Sequence, residues 1–263
     1  MDPRLTSITE RLDRIQQLFG VPPWLLVLFG VMMFAGWSGC YGFIIVRCFK
    51  QKTYGIPVMN ACMDIVWETI FTFNLAGEIS LPLRIGNAFW MIPDSLIFLQ
   101  VFLYGANEQR PPWLRKHFRL ILILTLAASI YGVREFMWYT GDVYGVLTSW
   151  IMDIMLSTMM LNLFLNRPDM RGIPYAATWF KLLGNIGGAL FCYCWWPAQF
   201  VDHLLPTYFS GTRVLVHEPP SYRMINILYL TVPVLDILLI YLAWKRRKEL
   251  LTGTSVDEAL SVT

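Results

Sequence analysis

Hydrophobic positions in this chain run together rather than alternating. Seven apolar stretches, at approximately 22–46, 55–77, 86–104, 116–138, 143–165, 176–196 and 222–245, are divided by short polar segments. Each is about 20 residues long, enough at about 1.5 Å per residue to cross a hydrocarbon layer of roughly 30 Å. In lipid a segment must satisfy its own backbone hydrogen bonds, so each run predicts a helix. A barrel would need shorter strands of alternating polarity. The expected fold is all-α: a polytopic membrane protein whose seven transmembrane helices form one bundle over 21–246. Upstream, Asp2-Pro3 reads as a cap and a first-turn proline, and Leu5, Ile8, Leu12, Ile15 and Phe19 recur at helical spacing. This predicts an amphipathic interfacial helix over 1–20. Residues 247–263 read as a short tail.

Composition narrows the class further. The 263 residues are 56% hydrophobic and only 15% charged, against about 25% charged in ordinary soluble domains. A soluble enzyme and a disordered chain are excluded. The net charge of +3 is small, and no basic block stands beside aromatics, so the expected partner is the bilayer and not a nucleic acid. Basic residues sort by side. Arg47, Lys50, Lys52, Arg110, Arg115, Lys116, Arg119, Arg167, Arg171 and residues 245–248 make thirteen on one side, against six on the other, namely Arg4, Arg11, Arg14, Arg84, Arg213 and Arg223. Cytosolic segments accumulate Lys and Arg, which predicts a cytosolic C-terminus, a lumenal N-terminus and a multi-pass place in the endoplasmic reticulum membrane. Five cysteines without a CxxC pair predict small buried hydrophobes rather than disulfides or a metal site. No removable signal peptide is expected.

The chemistry is carried by acids inside the apolar runs. Asp64 and Glu68 in the second run, Asp94 in the third, Asp153 in the fifth and Asp236 in the seventh fall in one layer near the membrane centre. An ionised side chain there is costly, and such a residue is by default functional. Lys181 is expected near the cytosolic end of the sixth run and Arg134 near the lumenal end of the fourth, which leaves several carboxyls without a basic partner. The expectation is that at least one of Glu68, Asp94 and Asp236 is neutral, and a neutral carboxyl in a dry cavity is a general acid. Asp64 and Glu68, four residues apart, share a helix face with Asn60, Trp67 and Phe71, which must turn into the bundle. Trp67, Phe71, Tyr229 and Tyr241 lie deep enough to face a cation. Trp24, Trp90, Trp113, Trp138, Trp195 and Trp196 fall near helix ends and read as interfacial belts. Gly36, Gly39, Gly42, Gly184 and Gly188 read as close helix contacts.

These residues carry a resemblance. Tyr54-Gly55-Ile56-Pro57 followed by Trp67-Glu68 is similar to the Gly-x-Pro and Asn-x-x-Trp-Glu signature of the fungal integral-membrane terpene cyclases of meroterpenoid and indole-diterpene biosynthesis. Asp94, Ser157, Asn166-Arg167, Gly172, Lys181-Leu182-Leu183-Gly184 and Asp236 fit the same pattern, over about 40–245. The resemblance implies that Glu68 and Asp236 are the catalytic acids, with Asp64, Asp94, Asn60 and Asp153 as supporting polar groups. It implies a lipophilic substrate with an epoxidised farnesyl or geranylgeranyl chain, cyclised through a carbocation after epoxide protonation. An upstream prenyltransferase and epoxidase in the same membrane are the expected partners. One position departs: Asp64 stands where the family carries Asn. Neither DDxxD nor DxDD occurs, so no metal and no other cofactor is expected.

The same acids could instead form the relay of a proton-coupled seven-helix transporter. The internal symmetry common in such carriers is not visible: Tyr54-Gly55-Ile56-Pro57 and Gly172-Ile173-Pro174-Tyr175 match, but the similarity stops there. A receptor or retinal protein fits less well, because the seventh run has no central Lys and the usual receptor motifs are missing.

Overall fold

A computed structural model describes residues 22–75, 81–140, 142, 145–195 and 222–252. The helix expected over 1–20 and the end of the tail, 253–263, lie outside these residues. Within them the chain is helical, without strands: α1 (Pro23–Gln51), α2 (Val58–Thr72), α3 (Leu81–Tyr104) with a 3-10 turn at Gly105–Glu108, α4 (Pro112–Thr140), α5 (Val146–Leu165), α6 (Tyr175–Trp195) and α7 (Tyr222–Thr252). Each apolar run became one helix. Five stretches are long and apolar enough to cross a membrane: Pro23–Gln51, Arg84–Glu108, Pro112–Thr140, Val146–Leu165 and Ile227–Thr252. The 15 residues of α2 span only about 22 Å. Its apolar run overstated its length, because Gly55–Pro57 and Phe73–Leu75 are loop.

The outer faces are apolar. Val27, Val31, Ile123, Leu230 and Val234 are exposed, as are Trp24, Trp113 and Trp138, which agrees with lipid-facing belts at the helix ends. α1 packs against α6, α2 against α3 and α4, and α7 against α5 and α6. Glycine makes the first pairing possible. A Cβ on Gly36 would strike the backbone of Gly184, and one on Gly39 the ring of Phe180. Gly42 faces open space, so its expected helix contact is corrected. Small residues allow this approach where no hydrophobic driving force separates lipid from protein.

The two similar loops meet. A Cβ on Gly55 would strike the carbonyl oxygen of Gly172, which itself has φ +77°. Gly172 donates its N–H to Gln51 Oε1 at 2.9 Å. Arg167, buried, donates to the Tyr54 carbonyl, lies 4.6 Å from the Tyr54 ring and faces Glu108 at 3.5 Å. Thr53 donates to that same Glu108 at 2.8 Å. The sequence likeness between these loops therefore reflects a shared contact and not a repeat.

At the opposite end Asp142 starts α5. Its Oδ2 accepts from both the backbone N–H and the hydroxyl of Thr148, each at 2.7 Å, satisfying donors that a helix start leaves open. Gly145, at φ +68°, lets the chain turn beneath the Trp67 and Phe71 rings, where a Cβ would clash.

Candidate active site

A cavity of about 460 Å³ opens between α1, α2, α3, α5 and α6. Its wall carries Asp64 and Glu68 from α2, Asp94 from α3 and Asp153 from α5, among Phe34, Trp37, Tyr41, Trp67, Trp90 and Trp150. Among the described residues neither α4 nor α7 contributes. Four of the five acids singled out in the sequence thus converge on one hollow.

Two polar groupings border it. On the α2 and α3 side, Glu68 and Asp94 are buried, at 7% and 3% exposure. Glu68 Oε2 and Asp94 Oδ1 make no hydrogen bond, and neither does Trp67 Nε1. The Tyr41 hydroxyl of α1 reaches Asp94. Asp64, Glu68 and Asp94 lie close enough for their charges to interact. Among the described residues no Lys or Arg pairs with any of the three. Pro93 precedes Asp94 inside α3 and removes one ladder hydrogen bond there.

The other side is a closed knot. Lys181 of α6 is fully buried and its ammonium donates to Asp236 Oδ1 of α7 at 2.8 Å, to Asp153 Oδ1 of α5 at 3.1 Å and to Ser157 Oγ of α5 at 2.7 Å. Ser157 donates to Asp236 Oδ1 at 3.1 Å and Asn185 to Asp236 Oδ2 at 2.6 Å. The Lys181 ammonium also lies 5.4 Å from the Trp37 ring.

This corrects the expectation that Lys181 sits apart near the cytosolic end. A lysine stem is long, and that of Lys181 reaches from α6 across to α5 and α7. Asp236 and Asp153 therefore have a basic partner at their own depth, whereas Asp64, Glu68 and Asp94 do not. Asp236 also does not line the cavity. It lies behind Lys181 and Asn185, of which Asn185 reaches the hollow.

The remaining polar residue, Asn60, is fully buried outside the cavity wall and donates to the Met152 carbonyl at 2.9 Å, which ties α2 to α5. Among the aromatics, Trp67 faces the hollow and Phe71 packs behind it, ring centroids 4.3 Å apart. Tyr229 packs behind Trp150 at 4.5 Å. Tyr241 is 56% exposed on the outer face of α7 and is removed from the set. Trp90, expected in an interfacial belt, turns into the cavity; its position near a run's end concealed that α3 begins earlier, at Leu81. Trp37, Tyr41 and Trp150 also line the wall, and only the glycine spacing around Trp37 and Tyr41 could have signalled an inward face. Cys40, Cys48 and Cys62 are buried free thiols, as expected.

The geometry is that of a half-open aromatic cavity with carboxyl groups that face no cation on one wall, and comparison with known proteins agrees. No solved structure matches the chain. It is 23% identical over 189 residues to the terpene cyclase macJ of Penicillium terrestre, covering 68% of this chain and 70% of that one. It is 24% identical to the terpene cyclase cdmG of Talaromyces verruculosus, covering 68% and 78%. It is 23% identical over 203 residues to the terpene cyclase pyr4 of Aspergillus fumigatus, covering 74% and 81%. The sequence model of the Pyr4-like transmembrane terpene cyclases matches residues 19–217, and the chain belongs to that family of membrane enzymes.

Proposed function

We propose that this cyclase protonates the epoxide of an epoxidised farnesyl or geranylgeranyl chain and guides the cation through ring closure. The observation that carries the reading is the pair of buried, unpartnered carboxyl oxygens, Glu68 Oε2 and Asp94 Oδ1, on an aromatic cavity of about 460 Å³. That volume lies in the roughly 300–1,000 Å³ range of small-molecule sites.

Glu68 is the proton donor, with Asp94 and Asp64 beside it. Its O–H proton passes to the epoxide oxygen, the C–O bond at the tertiary carbon breaks, and successive alkenes attack the cation. Trp37, Trp67, Trp90 and Trp150 offer ring faces to the moving charge, each worth on the order of 2 kcal/mol when desolvated. Burial holds the polyene in reach of the acid and keeps out the water that would quench the cation. Asp236 acts indirectly, by holding Lys181 and Asn185. The seven-helix bundle is embedded in the endoplasmic reticulum membrane with the C-terminus cytosolic, and an upstream prenyltransferase and epoxidase supply the substrate.

Microsomes carrying the protein, incubated with an epoxyfarnesyl acceptor, are expected to return a cyclised isomer of equal mass. A proton-coupled carrier would return the epoxide unchanged, and that outcome, with the protein present in the membrane, refutes the proposal.

A further inference from the structure

The cavity has two unlike walls, and only one of them is needed to start the reaction. Asp153 stands on α5, apart in the fold from the acids of α2 and α3, and is the one member of the Lys181 knot, other than Asn185, that borders the hollow. Its side chain is 12% exposed, whereas those of Lys181 and Asp236 are 1% exposed. The ammonium at 3.1 Å binds one oxygen of Asp153, so this carboxyl group stands at the edge of the chamber with a fixed cation beside it. Two carboxyl groups in contrasting surroundings within one site are the usual basis for dividing acid and base work.

We propose that Asp153 is the base that ends the cascade, a role that rests on the cyclase reading above. The last cation loses a C–H proton, or the O–H proton of a capturing hydroxyl, to the Asp153 carboxylate, and the freed electron pair forms the new C=C bond or leaves a neutral ether. Acid and base then each differ by one proton from their starting state. Asp64 lines the same cavity and its charge interacts with both Asp94 and Asp153. Once product leaves and water enters the cavity, Asp153 gives up its proton and Glu68 takes one back. The net reaction is an isomerisation that consumes no co-reactant.

The test compares Asp153→Asn and Asp153→Glu with Glu68→Gln in microsomes fed the same epoxyfarnesyl acceptor, with products resolved by mass spectrometry. Glu68→Gln should stop conversion. Asp153→Asn should still consume epoxide, but the main product should fall at least tenfold in favour of double-bond isomers or an adduct heavier by one water. Asp153→Glu, which keeps the carboxylate and moves it by one methylene, should recover part of the normal product. Normal product ratios in Asp153→Asn, with Glu68→Gln inactive, overturn the assignment of Asp153 and leave the cyclase reading standing. Should Asp153→Asn not accumulate, normal ratios in Asp153→Glu overturn the assignment equally. No conversion by the unaltered protein removes both.

Discussion

Lys181 and Asp236, on neighbouring helices, meet at 2.8 Å with both side chains 1% exposed. Removing one partner from such a pair strands a charge in a dry interior and costs about 3–5 kcal/mol. Asp236→Asn keeps the shape but weakens the hold on Lys181. The expected outcome is a lower Tm in detergent together with reduced cyclisation. Lys181→Met should be worse, since it leaves Asp153 and Asp236 facing each other without a cation. A Tm equal to that of the unaltered protein in both variants would show that the knot does not support the bundle.

Glu68 should behave in the opposite way. Its Oε2 has no hydrogen bond to lose, so Glu68→Gln is expected to change stability by no more than about 1 kcal/mol while cutting cyclisation by at least about a hundredfold, the usual contribution of a positioned general acid. Thermal denaturation and product quantification on one preparation separate the two effects.

The glycines of α1 give a packing test with an internal control. Gly36→Ala drives a methyl group into the backbone of Gly184, whereas Gly42→Ala meets nothing within 4 Å. The first should cost about 1–3 kcal/mol, as overpacking does, and the second nothing measurable. Denaturation of both variants in the same detergent checks the difference.

Gly86 borders the cavity, and a side chain added there has open space before it. Gly86→Leu should therefore fold normally and shrink the chamber. Turnover of an epoxygeranylgeranyl substrate should fall more than that of its epoxyfarnesyl counterpart, measured by competition in one reaction.

Periodicity and run length exposed the helices, because the bilayer imposes one solution on a long apolar run. They also exposed the acid layer, since charge is rare there. They could not expose which way a long side chain leans. Lys181 was assigned by the position of its Cα near a helix end, but its ammonium lies four methylenes away. Tyr241 and Trp90 were exchanged for a related reason: depth along a helix was readable, whereas rotation about its axis depends on contacts such as Gly36 with Gly184 that join residues far apart in sequence. The departure at Asp64 is visible in the sequence, whereas its place on the chamber wall needs the fold.

The knot around Lys181 sets one basic and two acidic side chains beside an oily chamber. Unit charges 10 Å apart attract by roughly 1–2 kcal/mol at an effective dielectric near 20. On the proposed mechanism, a cation formed in the chamber would be drawn toward α5 without being touched, the same side on which the cascade is proposed to stop.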